Sequence, residues 1–150
     1  MTAHDCREFL LQQRNSEGFF VSGLSDSAVS TATACLALEL ADARKYSPAI
    51  RRARAWLLAH RDEQALYGDS PESPANLTAT FLAYAALARD PESAPQTGPT
   101  RAWLEQQFHD FSFPAVKKAF LEKYGRDLTF SVPILALATA AGVFPDARAA

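Results

Sequence analysis

The sequence predicts an all-α protein built from three copies of a helical hairpin. The first observation behind this is a repeat. Arg7-Glu8-Phe9-Leu10, Arg54-Ala55-Trp56-Leu57 and Arg101-Ala102-Trp103-Leu104 share one pattern at successive spacings of 47 residues. A second block recurs in register with it: Thr31–Leu38 (TATACLAL) aligns with Thr78–Ala85 (TATFLAYA), again 47 residues on, and with Ser131–Leu137 (SVPILAL) after a further 53. Two blocks recurring together mark a repeat architecture, in which each unit buries its apolar face against its neighbours. The second observation is periodicity: Ile50, Ala53, Trp56 and Leu57 fall on one stripe and Arg51, Arg52 and Arg54 lie away from it, as on an amphipathic helix. The third is that no segment reads convincingly as a strand.

The units run over about 5–46, 47–96 and 97–145, each with an outer and an inner helix. The outer helices carry the Arg-x-aromatic-Leu block and are amphipathic. Ser47-Pro48 and Gly98-Pro99 open the second and third of them with a capping hydroxyl or glycine before a first-turn proline. The inner helices, about 27–41, 74–89 and 131–141, are alanine-rich and apolar nearly all round, so they belong in a buried inner layer. Asp26, just before Ser27, is placed to cap the first, Ser73-Pro74 the second and Asp127 the helix of the third unit. An extra helix near 114–124 presents Val116, Phe120 and Tyr124 on one face and is stopped by Gly125.

Composition narrows the function classes. A chain of 150 residues, 48% of them hydrophobic, can bury one core without disulfides, and Cys6 and Cys35 are too few for a cystine framework. Fifteen basic against seventeen acidic residues give a net charge of −2, so there is no basic field for nucleic acid or an anionic membrane. The N-terminal segment lacks a basic region followed by an apolar one, so no secretory signal is expected. The longest apolar stretch, Val132 to Phe144, falls short of the roughly 18 residues a spanning helix needs. A soluble, cytoplasmic-type domain is the expectation.

The segment Phe9–Phe20 (FLLQQRNSEGFF) resembles the QW motif of squalene–hopene cyclases and other prenyltransferase/squalene-oxidase-repeat proteins. There a glutamine precedes a glycine and an aromatic after a helix ending in an aromatic-Leu pair. The amide of such a glutamine can satisfy helix-end backbone groups while the aromatic stacks beside it. The segment Trp56–Asp69 keeps the frame but departs from the motif, with His60 near the glutamine position and no Gly-x-Trp after it. The segments Pro74–Leu87 and Tyr124–Leu135 are also similar to stretches of cyclase-like proteins, so the resemblance spans roughly residues 5–145. It implies an α/α-toroid piece similar to the N-terminal part of a cyclase. It does not carry over the activity, because the family's DxDD-type proton donor lies in the other barrel and has no counterpart in this sequence.

The resemblance implies a curved arc whose concave side takes an apolar, isoprenoid-like ligand. Phe19, Phe20, Phe81, Tyr84 and Phe130 are the aromatic candidates to line it and to face a cationic intermediate, with core packing the plainer alternative for those on inner helices. Asp26, Asp69 and Asp127, with Glu17, lie in inter-helix turns and are the weak candidates for an acid. Such a group would need surroundings that keep it protonated, and helix capping or a solvated turn is its plainer role. Cys35 sits mid-helix among apolar residues, and His4, His60 and His109 are scattered, so no metal is expected; His60 reads as a helix C-cap. No phosphate-loop, dinucleotide or nucleophile-elbow pattern occurs, so no cofactor is expected.

Three hairpins are fewer than a complete toroid of this superfamily holds, so exposed inner faces would need covering. A homodimer, or a second toroid-type subunit carrying the chemistry, is the expected partner. Two other readings stand beside this one: a small self-sufficient terpene cyclase or isomerase using an acidic turn residue, and a helical-repeat protein-interaction module.

Overall fold

A computed structural model describes residues 2–20, 25–125 and 127–144, and the architecture is all-helical. In chain order the helices are α1 (Ala3–Gln12), α2 (Ala28–Asp42), α3 (Ser47–Ala59), α4 (Leu77–Leu87), α5 (Gly98–Phe108), α6 (Phe113–Tyr124) and α7 (Leu128–Ala140), with a 3-10 turn at Ala94–Thr97 before α5. Among the described residues the only β-type pairing is an isolated bridge between Arg14 and Phe20. Arg126 and residue 145, the expected end of the third unit, lie outside the described residues.

The core is organised around α4. Every residue from Thr78 to Leu87 is buried, which suits a helix with no polar face to give to water. The alanine-rich helices α2, α4 and α7 touch pairwise, while α3 packs on α2 and α4, α5 on α4, and α6 on α5 and α7. Residues equivalent in the repeat are buried alike: Ala32 with Ala79, Cys35 with Leu82, and Leu57 with Leu104. Small alanines let the inner helices approach closely, and the volume between them is filled by rings. Phe81 lies 5.4 Å from Phe120 and 5.8 Å from Phe108 by ring centroids, both edge-on. Cys35 is fully buried, and burial pushes its thiol up.

Several helix starts differ from those the sequence predicts. Ser27, rather than Asp26, caps α2, its hydroxyl accepting the Ser30 N–H at 3.1 Å. Asn76, rather than Ser73-Pro74, caps α4 by accepting the Ala79 N–H at 3.0 Å, because the helix begins only at Leu77; the Ser73 hydroxyl lies 2.9 Å from that of Ser70. Pro48 lies in the first turn of α3, but Ser47 is already helical and accepts from Arg51 instead of capping. Asp127 does cap, accepting the Thr129 N–H at 3.0 Å, and α7 begins at Leu128, with Pro133 inside it. Gly125, at φ 60°, ends α6 as expected.

Two buried hydroxyls, those of Tyr67 and Ser131, stand out among the described residues. The Tyr67 hydroxyl has no hydrogen-bond partner among the described residues, and burial pushes its pKa up to about 12. Removing an unsatisfied hydroxyl without changing shape relieves a desolvation cost. Tyr67→Phe is therefore expected to stabilise the protein by about 1 kcal/mol, read from the midpoint of urea unfolding.

Candidate functional site

The loop between α3 and α4 sets up the site. Asp62 accepts the N–H groups of Gln64 and Leu66 at 2.9 and 2.8 Å, which holds Ala65 at φ 61°, and the Thr100 hydroxyl fixes the Ala65 carbonyl at 2.7 Å. The Tyr67 N–H then donates to the Thr80 hydroxyl at 3.1 Å, and the Asn76 N–H to the Tyr67 carbonyl at 2.9 Å. Between them the backbone folds back so tightly that a Cβ at Gly68 would collide with the Ser73 carbonyl. The outcome is local: Asp69 is held against Asn76, whose amide donates to the carboxylate at 3.0 Å.

The opposite wall comes from α6 and α7. Tyr124 closes α6 with its hydroxyl 2.5 Å from that of Thr78 on α4, and Phe130 of α7 stacks on the Tyr124 ring at 5.7 Å and 25°. Lys123 lies 5.7 Å from the same ring. With Val29 of α2, these groups and the Asp69–Asn76 pair line a cleft of about 500 Å³. Its apolar lining is Val29, Tyr124 and Phe130, and its polar groups are the exposed Asp69 and Lys123, the half-buried Asn76 and the buried Thr78. Such a cleft can hold an apolar chain against the rings and a polar head group at Asn76.

This cleft gathers only two of the residues singled out from the sequence, Asp69 and Phe130. Asp26 is exposed ahead of α2, and Asp127 is exposed at the α7 cap, where hydrogen bonding from Thr129 holds its carboxyl below the usual range. That is the reverse of what an alkene-protonating acid needs. Glu17 is exposed in the turn after α1. Phe81 lies at the centre of the core, and Tyr84 is buried with its hydroxyl 3.1 Å from Arg101 and its ring edge-on to Phe111. Phe19 and Phe20 are exposed beside the turn after α1. That turn, where the resemblance implies a glutamine, is closed by Asn15, which accepts from Glu17 and Phe19, and by Arg14, which donates to the Gly18 carbonyl at 2.8 Å.

The cleft residues that sequence reasoning did not single out for binding are Val29, Asn76, Thr78, Lys123 and Tyr124. Tyr124 had a signal, as the last residue of the α6 apolar face. Its partner Thr78, 46 positions away, had none beyond opening the repeat block.

A second cleft, of about 550 Å³, surrounds the repeat arginine Arg54. Its guanidinium meets Glu39 of α2 at 2.9 Å, Asp90 after α4 at 3.5 Å and the Ala86 carbonyl at 3.0 Å, and Arg89 adds a contact to Glu39 at 3.3 Å. Arg54, Glu39, Asp90 and Arg89 pair with one another and fasten α2, α3 and the end of α4. Arg51 and Glu92, which also line this cleft, form no salt bridge among the described residues. His60 caps α3, its ring hydrogen-bonded to the Trp56 carbonyl at 2.8 Å and stacked on the Trp56 ring. Among the described residues no group of three or more His, Cys, Asp or Glu could hold a metal ion. Nor, among them, is any helix long and apolar enough to cross a membrane. No protein family matches the chain, and no curated protein or solved structure does so either.

Proposed function

We propose that this chain is an α/α-toroid-type repeat domain that binds an apolar, isoprenoid-like ligand in the Tyr124–Phe130 cleft and completes its toroid with a partner, either a second copy or another toroid-type subunit. The observation that carries the ligand reading is the stacked Tyr124–Phe130 pair beside Val29, in a cleft with the exposed Asp69, held by Asn76, at its rim. A prenyl chain would lie along the rings with its hydroxyl end at the rim. The domain has no acid of its own in this reading: Asp69 is exposed and engaged by Asn76, whereas a proton-donating carboxyl belongs in a dry pocket.

Titrating the protein with a fluorescent prenyl alcohol tests this. Saturable binding is expected, and Phe130→Ala should weaken it about tenfold, the equivalent of about 1.4 kcal/mol of lost ring contact. Equal affinity in wild type and Phe130→Ala would sink the cleft assignment. The self-sufficient cyclase or isomerase reading rests on Asp69, the one acid candidate that lines the cleft. It requires conversion of a prenyl substrate that Asp69→Asn abolishes. The interaction-module reading draws on the exposed apolar side chains of α1 and α7.

A further inference from the structure

The repeat arginines of the second and third units share a register but not a set of partners. Arg54 of α3 is held between the carboxylates of Glu39 and Asp90. Arg101 of α5 stands 47 positions on. By the spacings of the inner blocks, 47 positions after Glu39 comes Ala86, and 53 after Asp90 comes Val143. Both carboxylates that the repeat arginine receives in the second unit are therefore replaced by apolar residues in the third. Arg101 turns its Nε instead to Glu105 on its own helix, at 2.7 Å, and both side chains of that pair are half exposed.

Arg101 and Val143 line a small cleft of about 180 Å³, together with Tyr84, Ala88, Arg89 and Phe111. None of the described residues that line it is acidic. Arg89 enters from the end of α4. Its Nε donates to Glu39, which lies outside this cleft, and its two Nη groups make no hydrogen bond among the described residues. A Cβ at Gly142 would lie 3.4 Å from Arg89 Nη1, so the tip of Arg89 reaches the glycine after α7. Arg101 Nη1 donates to the Tyr84 hydroxyl at 3.1 Å, and its guanidinium lies 5.2 Å over the Phe111 ring. Because the Tyr84 oxygen accepts that bond, its own O–H is left to donate, and it has no acceptor among the described residues. Tyr84 is only 6% exposed, so the packing around it holds this donor in place.

We propose that this cleft binds a small oxyanion, a carboxylate or phosphate group, between Arg89 and Arg101 with the Tyr84 hydroxyl as a third donor. Two cations bordering one cleft without an acid raise the local potential and draw an anion in. Each guanidinium offers paired N–H groups whose geometry matches two oxygens of a carboxylate or phosphate. The ligand oxygens do for Arg101 what Glu39 and Asp90 do for Arg54. The cleft is smaller than the roughly 300 Å³ at which ordinary ligand pockets begin, so the anion carries few other atoms. Those atoms meet Ala88, Phe111 and Val143, which give the rest of the wall its apolar character. The site shares no residue with the Tyr124–Phe130 cleft and does not depend on the prenyl reading.

Isothermal titration calorimetry of the full chain with inorganic phosphate and with acetate, at constant ionic strength, tests it. Saturable binding is expected, and the tighter of the two anions tells a phosphate site from a carboxylate site. Arg101→Gln should weaken binding at least ~10-fold and Tyr84→Phe about fivefold. Arg101 is half exposed, so its replacement should leave helicity by circular dichroism unchanged. Lys118→Gln, at a cation 75% exposed on α6, should bind as wild type does. Val143→Asp supplies the carboxylate that Asp90 supplies in the second unit, and should abolish binding of the added anion. No saturation by either anion, or equal affinity in wild type and Arg101→Gln, would overturn the proposal. Equal losses in Arg101→Gln and Lys118→Gln would also overturn it, because they mark a general effect of charge. Prenyl-alcohol binding reads the other cleft, so failure of one site is distinguishable from failure of the other.

Discussion

Phe81→Ala is expected to destabilise the protein by about 3–5 kcal/mol, the range for emptying a large aromatic site that cannot collapse. The side chain is fully buried and meets four other rings: Phe108, Phe111, Phe120 and Phe144. These rings come from α5, the α5–α6 loop, α6 and the segment after α7, so one truncation loosens the packing of α4 against the chain from α5 onward. For a domain with a total stability of about 5–15 kcal/mol, that is a large share of the whole. Urea unfolding followed by tryptophan fluorescence measures it. Phe81→Leu should lose much less, and a loss below about 1 kcal/mol for Phe81→Ala would show that the rings close over the gap.

Arg54→Met should cost a comparable amount, about 3 kcal/mol, because it leaves Glu39 and Asp90 partly buried without their shared cation. The Arg54 side chain is only 11% exposed, so solvent cannot take over its role. Arg54→Lys should recover only part of the loss, since an ammonium cannot fork between Glu39, Asp90 and the Ala86 carbonyl. The same cluster sets a pH dependence. The Ser93 hydroxyl, aided by the Ser93 N–H and Arg54 and opposed by burial, holds the Asp90 carboxyl below its ordinary value. A depressed carboxyl contributes stability above its unfolded value, near 4, and loses it as the pH falls through the folded one. Asp90→Asn should therefore be clearly less stable than wild type at pH 7, with the gap closing towards pH 3. Melting temperatures across that range would show it, and a gap that stays constant would contradict it.

These two positions show how differently the sequence speaks about structure. Arg54 recurs with Arg7 and Arg101 at a fixed spacing, which marks it as part of the repeat before any coordinate is known. Its partners are not readable, because Glu39 and Asp90 are brought to it by the packing of α2 and α4. Phe81 illustrates the opposite limit. Helix α4 has no polar side, so periodicity gives its residues no direction, and a ring facing a cavity cannot be told from one filling the core. The helices were legible from periodicity on the amphipathic segments and from alanine-rich apolar composition on the inner ones, while the starts were less so where several capping residues compete. Ser27 beside Asp26, and Asn76 shortly after Ser73, are resolved by which side chain reaches the first free N–H. The Tyr124–Thr78 contact that shapes the cleft joins distant parts of the chain, and no local pattern encodes it.

The central position of α4 has a consequence for how the molecule breathes. A helix enclosed by α2, α3, α5 and α7 has no side from which water can reach its amides while the rest stays folded. Its backbone hydrogens should exchange with deuterium only through global opening, at the slowest rate in the chain. Those of α1, whose Phe9, Leu10 and Leu11 are exposed, should exchange through local fraying, orders of magnitude sooner.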